Sequence, residues 1–375
     1  MSVPESCNLS IRRDLPSLNP MPAEVHVVGA RPNFIKAAPV VSALRESGAD
    51  PVLVHTGQHY EATLSEVFFE ELGLPEPDRN LGVGSGTHAT QTASLLLEIE
   101  KLFLDLQPDR VVVYGDINST LAAALVGAKL HVPVAHVEAG LRSFDRTMPE
   151  EINRVVTDAL SDLHFTTSPE AEHHLSNEGI VRQSIHFVGN PMIDTLLRFR
   201  ETLDIEAART AFSVDGRYAV CTLHRPANVD DPAQAVRLVR ALEQVAQRLP
   251  IILPLHPRGH ATLEVAGLMD LKGVSVIEPL GYLDFMALVS GATVVLTDSG
   301  GIQEETTVLG VSCLTLRDNT ERPITVTMGT NRLVGNDPST IVEALDDVLE
   351  APPIGRIPPL WDGRAGQRIA EVLRG

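Results

Sequence analysis

From Glu24 onward the chain alternates short apolar runs with helix-length amphipathic segments, and this alternation predicts βα units feeding parallel sheets. The runs EVHVVGA, PVLVHTG, RVVVYGD, VPVAHVE, LHFTTS and IHFVGN read as strands, with helices over 36–47, 91–104 and 118–130 among the segments between them. The alternation restarts after Asn190 and Pro191. There a helix reaching to about Glu206 leads into YAVCTLH, IILPLH, VSVIEP, ATVVLTDS and VSCLTL. In ATVVLTDS the residues Thr293 to Leu296 form the continuous β-rich run of a strand buried on both faces.

Ten or so parallel strands in two groups of five or six predict an α/β fold of two Rossmann-like domains facing across a cleft, rather than one sheet or a closed barrel. The boundary near residue 190 divides the chain into 23–190 and 191–362. Residues 1–22 lack an apolar signal core and read as a flexible extension. The Pro-rich APPIGRIPP at 351–359 reads as a linker before a last helix in 363–375, expected to pack back on the first domain.

Composition narrows the classes of function. A length of 375 residues with 43% hydrophobic and 4% aromatic content fits two α/β domains with their own cores. The formal net charge of −19 argues against a nucleic-acid or anionic-membrane partner, so an anionic ligand must be held by a few local cations. Cys7, Cys221 and Cys313 show no paired spacing, which predicts a reducing cytoplasm without disulfides. No stretch reaches the roughly 18 apolar residues of a membrane span.

Polar residues gather where the predicted strands end: Arg31, Asp116, Glu138, His224, His256, and Asp298 with Ser299. Ligands of open parallel sheets bind outside the carboxyl ends of the strands, so these positions point to one interdomain cleft. In GARPNFIK, Arg31 and Lys36 offer two cations at a βα turn, suited to a diphosphate or equally to a surface ion pair. VVVYGDINST leaves Asp116 at the end of an apolar run, as a catalytic acid or as a helix cap. AHVEAG adds Glu138, and MPEEINR opens a helix with Glu150 and Glu151. Carboxylates converging with a histidine make acid/base equipment, and the same set also fits structural ion pairs. His224 and Arg225 in CTLHRPANVD, with His256 in LHPRG, repeat one strand-end geometry. LTDSGGIQEE supplies capping groups at Asp298 and Ser299, bare amides at Gly300 and Gly301, and Glu305 one turn further on; it fits an anion cradle or a plain capped helix. GxxxxGK[ST], HExxH, CxxC and GxSxG are absent from the sequence, and no metal, nicotinamide or other cofactor is expected. His173 and His174 lie on a polar helix and read as surface residues.

Taken together, GARPNFIK, TGQH, VYGDINSTLA, HVEAGLRS, MPEEINR, VGNPMIDTL, TLHRPAN, TDSGGIQEE and RDNTERP closely resemble the non-hydrolysing UDP-N-acetylglucosamine 2-epimerases, in family order over about 29–335. The resemblance implies a GT-B fold and reversible conversion of UDP-GlcNAc to UDP-ManNAc, supplying ManNAc-type precursors for cell-surface polysaccharide. UDP is eliminated to leave a 2-acetamidoglucal, and its return inverts C2. On this reading Asp116, Glu138, Glu150 and His224 are catalytic. Arg31, Lys36, Arg225, His256, Phe285, Ser299, Gly300, Gly301, Glu305 and Arg322 bind the UDP-sugar, with Glu305 toward the ribose. The family also implies a homodimer. Three departures argue against activation by a second UDP-GlcNAc: Pro226 and Ala227 in HRPAN, Glu61 in place of glutamine, and no arginine near 82–92; Gln58, Arg225 and His256 still match parts of that site. The alternatives are a GT-B glycosyltransferase, for which the sequence offers no obvious aromatic acceptor platform, an epimerase of a modified UDP-amino sugar, and a non-catalytic nucleotide-sugar sensor.

Overall fold

Two wholly parallel sheets organise the computed structural model, which describes residues 24–57, 71–255 and 257–375. The first contains β1 (Glu24–Val28), β2 (Val52–His55), β3 (Arg79–Asn80), β4 (Arg110–Tyr114), β5 (Val134–Ala139), β6 (Leu163–Thr166) and β7 (Ile185–Phe187). Its spatial order is β3-β2-β1-β4-β5-β6-β7. The second contains β8 (Ala219–Thr222), β9 (Ile251–Pro254), β10 (Val274–Ile277), β11 (Val294–Thr297), β12 (Ser312–Thr315) and β13 (Asn331–Leu333), ordered β10-β9-β8-β11-β12-β13. This is the GT-B arrangement of two Rossmann-like sheets. There are seven and six strands rather than five or six each, because the edge strands β3 and β13 are two and three residues long and leave no apolar run to read.

In both sheets the strand order reverses beside the first strand, between β1 and β4 and between β8 and β11. The loops leaving a switch point part to opposite faces and open a crevice at the carboxyl ends of the strands. The first crevice is bordered by the Gly29–Arg31 and Gly115–Ile117 turns, the second by His224 and by Asp298–Gly300. Chain topology alone thus sets four of the motifs beside a ligand crevice.

Helices cover both faces of the sheets, which is why the strands are nearly unbroken apolar runs. On one face of the first sheet, Val25, Val27, Val111 and Val113 pack with Leu95, Ile99 and Phe103 of the helix His88–Leu106. On the other, Val28 and Val112 pack with Phe34, Val41 and Leu44 of the helix Arg31–Glu46. That second core continues through Met192, Ile193 and Leu196 of the helix Pro191–Phe199 to Val220, Ile252 and Val295 of the other sheet. Ile193 and Leu196 are essentially inaccessible to solvent, and each such side chain contributes about 1.5–3 kcal/mol on burial.

The helix Ala365–Arg374 lies across Arg31–Glu46 at close range, since a Cβ on Gly366 would sit 2.5 Å from the Pro39 carbonyl oxygen. Arg110 Nη1 donates to the Leu373 carbonyl at 2.6 Å, and Gly366 N–H to Asp194 Oδ2 at 2.7 Å.

Several elements depart from expectation. The first helix starts at Arg31 rather than 36, because Pro32 sits in the first turn, where its missing N–H costs nothing. The helix from Pro191 ends at Phe199 rather than Glu206; Asp204 caps a separate helix, Ile205–Ala211, by accepting Ala207 N–H at 2.8 Å. His174 is half-buried rather than at the surface: its Nδ1 lies 2.9 Å from the Gly140 carbonyl, and its ring stands edge-on to Phe144. Trp361 is buried, donating from Nε1 to the Thr167 carbonyl at 2.8 Å, and offers no aromatic platform. The amino-terminal extension, Gln58, Glu61 and His256 lie outside the described residues. Among the described residues no helix is long and apolar enough to cross a membrane.

Candidate active site

Glu138 stands at the centre of the cleft. It belongs to β5, whose register with β6 shifts between Val137 and Ala139, and its φ of +73° is in the left-handed region. A bulge of this kind re-aims a side chain out of strict alternation, and a non-glycine residue held there carries strain of about 1–3 kcal/mol. The carboxylate is 2% exposed. Its Oε1 accepts from Lys36 Nζ at 2.6 Å and from Arg322 Nη2, across the cleft, at 3.3 Å. Its buried Oε2 has no hydrogen-bond partner among the described residues. A buried carboxylate oxygen left unsatisfied costs about 1–3 kcal/mol, and it offers a proton-accepting atom in a dry site.

Asp116 follows the turn after β4 and accepts from Arg154 Nε at 2.8 Å. Burial alone would raise its carboxyl, but Arg154, Lys36 and Arg322 outweigh that and hold it below the usual range. Asp116 is therefore ionised at neutral pH. Arg154 comes from the helix Pro149–Leu160 and also donates to Glu151 at 2.5 Å. Glu151, fixed further by Ser143 and by the Phe144 N–H, is the structural acid of the MPEEINR pair. Glu150 is the outward one, 3.7 Å from Arg225 Nη1.

The second sheet contributes Glu321, 1% exposed among four arginines. It pairs with Arg317 at 2.7 Å, with Arg225 at 3.5 Å, with Arg154 from the other side of the cleft at 4.0 Å, and with the adjacent Arg322. Their combined field holds its carboxyl well below the usual range despite burial. Arg322 also lies 3.0 Å from Glu304. Burial is the larger effect on Glu304 and raises its carboxyl, with Glu138 adding to the rise. Gly300 sits against this cluster, where a Cβ would fall 2.3 Å from Arg322 Nη1 and 2.6 Å from Glu321 Oε1. Only glycine lets the helix Gly300–Leu309 begin there. Ser299 is its N-cap position, with no side-chain capping bond, so the amides of Gly300 and Gly301 lie at the positive end of the helix.

His224 follows β8, and Thr222 pairs with Thr297 of β11, which places Asp298 beside it. Asp298 Oδ1 is 2.7 Å from His224 Nδ1, and the same carboxylate accepts the His224 and Arg225 N–H groups and Asn228 Nδ2. Burial works against its ionisation, but His224 and the two amides bring the Asp298 carboxyl down to about 2. The imidazole is 41% exposed and is oriented by Asp298 through Nδ1.

Glu305, one turn into the helix Gly300–Leu309, is 4% exposed and hydrogen-bonds the Tyr282 side chain. Burial pushes its carboxyl up to about 8. A carboxyl whose folded pKa exceeds its unfolded value holds its proton more tightly when folded, so its stabilising contribution is lost as pH rises through that window. Glu305→Gln is expected to flatten the decline in stability between about pH 5 and pH 8. Urea midpoints at the two ends check this, and parallel declines in variant and parent would refute it.

The structure thus brings Asp116, Glu138, Lys36, Arg322 and Ser299–Gly301 to one cleft, with Glu150 and Arg225 at its edge. Arg31 opens its helix at the first switch point. Lys36, expected beside a diphosphate, is 3% exposed and bonded to Glu138. Phe285, on the helix Tyr282–Ser290, packs partly buried against the main core. Arg154, Glu304, Glu321 and the pairing of Asp298 with His224 were not singled out from sequence, although all of these residues lie inside the quoted motifs. Among the described residues no group of three or more His, Cys, Asp or Glu side chains is arranged to hold a metal ion.

Comparison with known proteins agrees with this geometry. The family described as UDP-N-acetylglucosamine 2-epimerase matches residues 42–374. The UDP-N-acetylglucosamine 2-epimerase of Methanocaldococcus jannaschii is 44% identical over 357 residues, 92% of this chain and 97% of that protein. The UDP-2,3-diacetamido-2,3-dideoxy-D-glucuronate 2-epimerase of Pseudomonas aeruginosa is 45% identical over 353 residues, 92% of this chain and 98% of that protein. The crystal structure of the M. jannaschii UDP-GlcNAc 2-epimerase in complex with UDP-GlcNAc and UDP superposes with a TM-score of 0.87, covering 94% of this chain and 99% of that one. The chain belongs to the UDP-N-acetylglucosamine 2-epimerase family.

Proposed function

We propose that the protein reversibly interconverts UDP-N-acetylglucosamine and UDP-N-acetylmannosamine, with the sugar between the two sheets. The single observation that carries the reading is the buried set of carboxylates and cations joined across the cleft, Glu138 to Arg322 and Glu321 to Arg154. In the forward step a carboxylate takes the C2 proton while the C1–O bond breaks and its electron pair leaves with UDP. In the return step a β-phosphate oxygen re-forms the bond to C1 and C2 is protonated on its other face.

Removal and return on opposite faces need two proton-bearing groups. Asp116, ionised beside Arg154, is the base for C2; Glu138, with Oε2 facing no partner, and Glu150 handle the return proton or order the others. Lys36 and Arg322 hold Glu138 in place, while Arg31, Arg225, His224 and the Ser299–Gly301 amides neutralise the departing diphosphate. His256 and Phe285 complete the substrate-binding set, and Glu305 meets the ribose through a carboxyl that is largely protonated at neutral pH. On the same reading residues 23–190 and 191–362 form the two domains, residues 363–375 return to the first, and the chain works as a cytoplasmic homodimer.

The test is incubation of the purified protein with UDP-GlcNAc in D₂O without added cofactor. Deuterium at C2 of both sugars is the expected result. Unchanged UDP-GlcNAc beside exchange of a UDP-2,3-diacetamido-glucuronate, the substrate class of the Pseudomonas relative, would move the protein to that sugar. Acceptor-dependent UDP release without C2 exchange would replace the epimerase reading with a glycosyltransferase, and tight UDP-sugar binding without turnover with a sensor.

A further inference from the structure

Beneath the proposed active centre lies a buried histidine that the chemistry above does not use. His136 is in the middle of β5 and has no solvent exposure. One ring nitrogen, Nδ1, is 2.6 Å from Asp158 Oδ1, and the other, Nε2, is 2.8 Å from the Gly115 carbonyl oxygen. Both neighbours are acceptors. A neutral imidazole carries one N–H and one lone pair, so either neutral tautomer would aim a lone pair at an oxygen within hydrogen-bond distance.

The surroundings close the charge balance. Asp158, buried on the helix Pro149–Leu160, also pairs with Arg142 Nη2 at 2.7 Å and accepts the Gly140 N–H at 3.1 Å. Arg142 in turn pairs with Glu178 at 2.6 Å. His164 Nε2 on β6 donates to the Asp158 backbone carbonyl, 2.8 Å away, and burial lowers the pKa of its ring. Asp158 itself stays ionised, because His136 and Arg142 together outweigh the effect of burial.

What His136 holds is the turn that carries Asp116. Three successive carbonyls there each accept a buried side-chain donor: Tyr114 from Asn33 Nδ2 at 2.8 Å and Thr120 Oγ1 at 2.7 Å, Gly115 from His136, and Asp116 from Asn153 Nδ2 at 2.9 Å. Gly115 has a φ of +61°, and a Cβ on it would stand 3.0 Å from Lys36 Nζ. Of these donors His136 is the only titratable one.

We infer that His136 is a doubly protonated positioning residue, an imidazolium bridging Asp158 and the Gly115 carbonyl that fixes the Gly115–Asp116 peptide and thereby the reach of the Asp116 carboxylate. The inference rests on Asp116 being the group that acts on the sugar. A shift of about 1 Å in a reacting group costs on the order of 100-fold in rate, so the effect belongs in kcat rather than in substrate affinity.

Two measurements on the full chain test it. In ¹⁵N-histidine-labelled protein at neutral pH, long-range proton–nitrogen spectra should show both His136 nitrogens protonated, because each faces an acceptor. A ring with one bare nitrogen at neutral pH would overturn the inference whatever the activity. Once C2 exchange by the parent is established, His136→Gln is expected to lower kcat by about 10- to 100-fold with KM within a few-fold. A folded variant with the parental kcat would overturn it. If that variant does not fold, Asp158→Asn serves: it should leave His136 singly protonated and lower kcat in the same way, and a doubly protonated ring in it would show that Asp158 is not what holds the charge. Absence of C2 exchange in the parent would instead remove the epimerase reading and leave the ring measurement standing.

Discussion

Asp116→Asn is expected to lower C2 deuterium exchange by about 10²- to 10⁴-fold, the range for loss of a positioned general base, while UDP affinity stays within a few-fold. The amide keeps the size of the carboxylate and still presents an oxygen to Arg154 Nε, 2.8 Å away in the parent. Arg154 retains Glu151 and Glu321 as ionic partners, so the helix Pro149–Leu160 keeps its place. What the variant lacks is the lone-pair basicity that a carboxylate held below the usual pKa range keeps available at neutral pH. Exchange at C2 followed by NMR and UDP binding followed by calorimetry separate the two effects. Loss of UDP binding together with exchange would make Asp116 a structural residue, and retained exchange would move the base to Glu138 or Glu150.

Arg322→Leu is expected to destabilise the fold by about 3–5 kcal/mol at neutral pH, the cost of breaking a buried ion pair by removing one partner, and to abolish exchange. Arg322 is 6% exposed and serves Glu138, Glu304 and Glu321 at once. Without it, Glu138 keeps Lys36 and Glu321 keeps Arg317, Arg225 and Arg154. Glu304 has no other ion-pair partner among those described. Its carboxyl, already raised by burial, rises further once the guanidinium is gone, so it escapes the penalty by binding a proton at low pH. The destabilisation should therefore be roughly constant up to about pH 6, where Glu304 is protonated in both folded proteins, and grow as pH rises through and above about 7, where the parent's Glu304 ionises beside Arg322 and the variant's does not. Urea unfolding of parent and variant across that range checks the sign. A pH-independent loss would mean that Glu304 stays ionised in the variant and finds another cation.

Much of the site was legible because buried parallel strands advertise themselves. The runs Val111–Val113 and Val294–Leu296 are wholly apolar, so Asp116 and Asp298 stand out just beyond where they stop. The switch-point geometry turns those stops into a cleft. Glu138 was found the same way, but its aim was not. That depends on the register shift beside β6 and on a left-handed φ that no local signal announces.

Partnership was the part the sequence concealed. Arg322 reaches Glu138 across 184 positions, and His224 meets Asp298 only because β8 and β11 are neighbours in space. His136 sat inside an apparent apolar strand, where its role depends on an aspartate 22 residues on and a carbonyl 21 residues back.

By itself, then, the sequence determined the βα alternation, the two sheets and the set of polar residues at their strand ends, since burial on both faces and helix capping are local requirements written into neighbouring residues. The tertiary structure alone decided which carboxylate shares which cation, which acid is ionised and which is held neutral, because those outcomes depend on distances of a few ångströms between residues far apart in the chain and on how completely water is excluded around them.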